Sequence, residues 1–116
     1  MDHHYLPVKQ KREEIEMYVS EWIYRPDPKK FGETIAASMA MAELWKKHGA
    51  TDARLSSLNG SDMGCLANTI TFKNAETFGR ASDTLNTDPE AGKLMGTLAS
   101  LGGEWVRHNL YRSIGG

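Results

Sequence analysis

EIEMYVSEWIY, residues Glu14 to Tyr24, is the stretch on which the architecture turns. Its β-branched and aromatic side chains alternate at the two-residue period of a strand. Ile15, Met17, Val19 and Ile23 fall on one side; Tyr18, Ser20, Trp22 and Tyr24 fall on the other. Neither side is plainly polar, so both faces of the sheet that contains this strand need something to touch.

Working outward, RPDP at Arg25 to Pro28 breaks the strand. Asp27 suits an N-cap and Pro28 the first helical position, where its missing N–H costs nothing. Phe31, Ile35, Met39, Ala42 and Trp45 then recur at helical spacing as far as His48, and Gly49 is placed to end the helix. DARLSSLNG predicts a strand from Asp52 to Leu58; Asn59-Gly60 starts a tight reversal into a return strand, Cys65 to Phe72. Asn74 caps a second helix, interrupted at Asp88-Pro89 and stopped at Gly102-Gly103. The last strand, GEWVRHNLYRSI (Gly103 to Ile114), places Trp105, Arg107, Asn109 and Tyr111 on one side and Val106, His108, Leu110 and Arg112 on the other.

The order β-α-β-β-α-β predicts an α+β, ferredoxin-like domain: a four-stranded antiparallel sheet with two helices on one face. The domain is expected to span 14–116, behind a polar N-terminal arm at 1–13. Helices on one face leave the other bare. With the aliphatic set of the first strand beneath the helices, the aromatic set lies on the bare face, and a homodimer packed sheet to sheet is expected to enclose it.

Composition bounds the function. A net charge of −1 argues against an electrostatic nucleic-acid binder. The return strand, GCLANTITF, also lacks the paired stacking rings of an RNA-recognition motif. No apolar run approaches the roughly 20 residues that span a bilayer, so no membrane partner is expected. The first residues, MDHHYLPVKQKREE, lack the apolar middle of a secretory signal, and Cys65 is the lone cysteine, so a cytoplasmic protein is expected. The four histidines show no metal-ligand spacing, and no phosphate-binding glycine motif occurs, so neither metal nor cofactor is expected.

The long first helix ending in ELWKKHGA, the hairpin with its Asn-Gly turn, the strand end ITFKNAETFGRA and the helix broken at NTDPEAGKL together resemble the dimeric α/β-barrel superfamily, in its NIPSNAP-like and antibiotic-biosynthesis-monooxygenase-like members. The resemblance covers Glu14 to Ile114. It implies a cavity that, in some members, binds small aromatic or polyketide-like molecules for cofactor-free oxidation, isomerisation or cyclisation.

On the expected bare face, Tyr18, Ser20 and Trp22 join Trp105, Arg107, Asn109 and Tyr111, with Arg54 and Ser56 from the second strand and Asn68 from the third. Aromatic walls with a few hydrogen-bonding groups suit a small aromatic or acidic ligand. Arg107 would hold a carboxylate or enolate and Asn109 would donate to an oxyanion; His108, on the other side of the last strand, is the candidate general base, and if the strand's faces are reversed it enters the cavity and Arg107 leaves it. The same residue types are enriched at protein interfaces, so the set equally suits a dimer contact. Two functions therefore stand: a cofactor-free small-molecule enzyme of the monooxygenase, isomerase or cyclase type, and a non-catalytic ligand-binding or dimerising module. A cavity of hundreds of Å³ with converging polar groups favours the first; a filled core favours the second.

Overall fold

The computed structural model describes residues 17–115. The arm expected at 1–13, and Ile15 of the first strand, lie outside them. Four strands, β1 (Tyr18–Arg25), β2 (Asp52–Ser57), β3 (Leu66–Phe72) and β4 (Glu104–Arg112), form one antiparallel sheet in the order β2-β3-β1-β4. Three helices accompany it: α1 (Phe31–Lys47), α2 (Ala75–Asn86) and α3 (Pro89–Ser100). The fold is ferredoxin-like α+β, with the second helix split in two.

The split follows from the sequence. Asp88 accepts from the backbone N–H of Glu90, and Pro89 opens α3, so a fresh N-terminus forms where a continuous helix would have placed a proline. Asn74 caps α2 in the same way, through the N–H of Thr77. Asp27 caps a short 3₁₀ turn, Pro28–Lys30, and α1 begins one turn later than expected. Gly49, at φ 123°, closes α1 in a backbone region that side-chain-bearing residues avoid.

The core lies between the sheet and the helices. Ile70 and Phe72 of β3 are fully buried against Met41, Leu44 and Trp45 of α1 and Ala81 and Leu85 of α2. Each large side chain so enclosed contributes roughly 1.5–3 kcal/mol. Only part of the predicted α1 stripe takes part: Ala42 and Trp45 are buried, whereas Phe31 and Met39 are exposed. The apolar residues of α1 cover two adjacent stripes, and the one carrying Met41, Leu44 and Trp45 packs on the sheet.

The faces of β1 are opposite to those expected. Tyr18 and Trp22 pack against the helix-side core, and Tyr24 reaches α3, its hydroxyl donating to the carbonyl of Leu98 at 3.1 Å. Rings of this size bury more apolar area than the aliphatic set, and the space under three helices accommodates them. Val19, Glu21 and Ile23 therefore face away, beside Ala67, Thr69 and Thr71 of β3. This outer face is mixed in polarity rather than aromatic, as an antiparallel sheet with one helix-covered face allows.

The connection from β2 to β3 is no tight reversal. It contains a 3₁₀ turn, Gly60–Asp62, and folds over one end of the outer face. There Leu58 and Cys65 pack on Ile23, Ala67 and Val106, while Asp62 pairs with Arg107 of β4. No helix among the described residues is long and apolar enough to cross a membrane.

Candidate functional site

Between the helix-facing side of the sheet and α1–α3 lies a cavity of about 520 Å³. Its floor is sheet: Trp22 and Tyr24 from β1, Asn68 from β3, and Trp105 and His108 from β4. Its roof is helical, with Met41 and Trp45 from α1, Phe78 and Leu85 from α2, and Met95 and Leu98 from α3.

Trp105 and His108 are three residues apart and would face opposite ways on a regular strand. A bulge reconciles them. Ile23 pairs with Arg107 and Tyr24 with Trp105, leaving Val106 unpaired as the extra residue. Val106 packs on the outer face, and the rings on both sides of the bulge turn into the cavity. Gly103 holds this end close: a Cβ there would sit 2.5 Å from the Tyr24 hydroxyl and 2.6 Å from the Arg25 carbonyl oxygen. Only glycine permits that approach.

His108 is the chemically distinctive group. Its ring stacks on Trp22, with centroids 3.6 Å apart and planes 5° from parallel. Its Nε2 lies 2.7 Å from the hydroxyl of the fully buried Ser20. Burial lowers its pKa below the ordinary imidazole value, so the ring is neutral at pH 7. A neutral imidazole held by one hydrogen bond and one stacked ring has the form of a positioned proton acceptor. Beneath it, Trp22 and Asn68 are cross-strand neighbours. The Asn68 amide donates to the Ser38 carbonyl at 3.1 Å. Among the described residues neither its Oδ1 nor the Trp22 indole N–H, both buried, has a hydrogen-bond partner. A complementary donor and acceptor side by side in the floor are an unmet hydrogen-bonding capacity, which native interiors rarely leave.

Of the residues singled out in the sequence, Trp22, Asn68, Trp105 and His108 meet in this cavity. Tyr18 faces the same side but is packed against Phe78, at 5.3 Å between ring centroids, as part of the core. Arg54, Arg107, Asn109 and Tyr111 are on the outer face. Arg107 is paired with Asp62, Asn109 donates to Glu21 at 3.1 Å, and Arg54 lies 2.8 Å from Asp52. Tyr111 pairs with Val19 across the strands; burial, then the nearby Glu21 carboxylate, raises its pKa. Arg107 and Asn109 thus cannot hold an oxyanion beside His108: strand alternation puts them across the sheet from it. The expected constellation is two sets of residues on two faces. Sequence reasoning missed the helical roof. Trp45 was visible only as a core position, and Phe78, Met95 and Leu98 carried no signal beyond apolar periodicity.

Among the described residues no group of three His, Cys, Asp or Glu side chains gathers to hold a metal ion.

Solved structures with this arrangement include a NIPSNAP family protein of unknown function from Agrobacterium tumefaciens (TM-score 0.68, 12% identity, 84% of this chain and 88% of that one). A candidate antibiotic biosynthesis monooxygenase from Deinococcus radiodurans gives a TM-score of 0.64 at 15% identity, over 81% of this chain and 89% of that one. The fold is that of the NIPSNAP-like and antibiotic-biosynthesis-monooxygenase-like proteins. SnoaB, a cofactor-independent oxygenase from Streptomyces nogalater, shares it at a TM-score of 0.53 and 18% identity, over 83% of this chain and 89% of that one. No protein-family model matches the chain. No curated protein matches it either. Similarity at this level establishes the NIPSNAP-like fold; the cavity has to carry the chemistry.

Proposed function

We propose that this protein binds a small molecule in the helix–sheet cavity and starts a cofactor-free reaction on it by proton abstraction. The observation that carries the reading is His108, stacked on Trp22 and hydrogen-bonded to Ser20, in the wall of a largely apolar, aromatic-rich cavity of about 520 Å³. That volume lies within the roughly 300–1,000 Å³ of small-molecule sites. The presence of a cofactor-independent oxygenase among proteins of this fold supports the same direction.

In this scheme His108 removes a proton from a carbon acidified by an adjacent carbonyl, leaving a delocalised enolate over the Trp22 and Trp105 rings. Returning the proton to another carbon completes an isomerisation. Reaction of the enolate with dioxygen instead converts a CH₂ group and O₂ to a carbonyl group and water. The two outcomes share the first step, and that step is testable without knowing the natural substrate. The protein should accelerate exchange of the α-hydrogens of 2-tetralone in D₂O, followed by proton NMR, and His108→Gln should lose most of the acceleration. Wild-type exchange no faster than buffer would sink the base assignment.

The second reading, a non-catalytic binding or assembly module, draws on the same contacts. Stacking on Trp22 and bonding to Ser20 are also what a structural histidine does. It is favoured if His108→Gln lowers stability while wild type shows no exchange.

A further inference from the structure

The charge of the cavity narrows what can occupy it. Among the described residues its lining contains no Lys, Arg, Asp or Glu. The arginine that a carboxylate ligand would need, Arg107, is on the other face of the sheet and already paired with Asp62. Arg25, at the edge of β1, is paired with Glu104. Arg80 of α2 is paired with Glu76 on its own helix. The polar groups that remain are the hydroxyls of Tyr24, Ser38 and Ser82, the amides of Asn68 and Asn86, the indole N–H groups, and His108, whose pKa burial lowers. A carboxylate or ammonium entering such a space would give up its hydration with no opposite charge to replace it. A flat neutral molecule would lose little and gain contact with three indole rings.

We infer that the cavity selects an uncharged planar aromatic molecule and rejects carboxylate and ammonium analogues of the same ring system. The inference rests on the cavity being the ligand site. It sets aside the acidic ligand expected from the sequence, because that expectation relied on Arg107.

The three tryptophans of the chain, Trp22, Trp45 and Trp105, all line the cavity, so their indole N–H resonances report on it directly. The test is a titration of the ¹⁵N-labelled full chain at pH 7 with 2-naphthol, 2-naphthoate and 2-naphthylmethylammonium. 2-Naphthol should shift the indole signals saturably, with both charged probes binding at least tenfold more weakly. A second arm uses Met95→Arg, on the half-exposed flank of α3, to supply the missing cation. This variant should bind 2-naphthoate at least tenfold more tightly than wild type does. Naphthoate binding wild type as tightly as naphthol overturns the charge selection while leaving the ligand site intact. Continued exclusion of naphthoate by a folded Met95→Arg assigns the rejection to shape and overturns it too. If no probe moves an indole signal, the ligand-site reading itself falls.

Discussion

His108 shows how much one side chain depends on its neighbours. Ser20 is fully buried on β1 and has the imidazole as its hydrogen-bonding partner across to β4. Removing His108 leaves that hydroxyl unsatisfied, whereas removing both groups does not. We expect His108→Ala to cost about 1–2 kcal/mol and Ser20→Ala added to it to cost less than on its own. Denaturant unfolding of the four proteins in the cycle measures the coupling, and strict additivity would show that the contact is energetically idle. The ring also makes stability depend on pH. Its folded-state pKa is lowered by burial, so below about pH 6.5 the unfolded chain binds the proton more readily than the folded one. Stability should therefore fall as pH drops through that range. Wild type should lose more between pH 7.5 and 5.5 than His108→Gln; equal losses would place the ring in water.

At the scale of elements, two irregularities build the site. The first is the junction of α2 and α3, where His48 at the end of α1 bridges Thr84 and Asp88 at 2.9 and 2.7 Å. Asp88 is held below the ordinary carboxylate range, first by the His48 hydrogen bond and then by the backbone N–H of Glu90. A lowered carboxyl pKa contributes stability that is present above about pH 4 and lost as pH falls through the folded value. Asp88→Asn keeps a capping side chain but loses the charge, so it should be less stable than wild type at pH 5 and nearly level with it at pH 2.5. A gap that persists at pH 2.5 would mean the charge is not its source. The second irregularity is the bulge at Val106. Deleting Val106 restores regular alternation and leaves Trp105 and His108 two residues apart, still on the cavity face. The folded deletion variant should therefore keep 2-naphthol binding by the indole titration, and loss of binding would show that the bulge does more than let Val106 be accommodated between the two rings.

For the whole molecule, the distribution of apolar area between the two faces governs the expectation of self-association. Homodimerisation was expected because an aromatic bare face would need cover. The aromatic residues of β1 are instead beneath the helices, and the outer face shows Glu21, Thr69, Thr71 and Asn109 beside Val19 and Ile23. A homodimer through this face therefore stands as a proposal supported by the exposed Tyr111 ring beside Val19 at one end of it. Sedimentation equilibrium should give a dimer that Thr69→Arg, at the centre of the face, converts to monomer. A wild-type monomer at tens of micromolar would refute it.

The order of strands and helices was legible because each element carries its own punctuation: Asp27-Pro28 and Asp88-Pro89 at helix starts, Gly49 and Gly102-Gly103 at helix ends, alternation in EIEMYVSEWIY. These are local preferences that need no knowledge of neighbours. Four of the nine candidate site residues meet in the cavity for the related reason that large aromatic and polar side chains on the helix-covered face of a sheet are seldom idle. Which face each strand turns inward was not legible. Both sides of β1 are apolar, so alternation specifies two sets and leaves their assignment to packing. The bulge that brings Trp105 and His108 together exists only in the pairing of β4 with β1, a contact between residues more than eighty positions apart. Local sequence determined the elements; the competition for space under three helices decided which residues became the site.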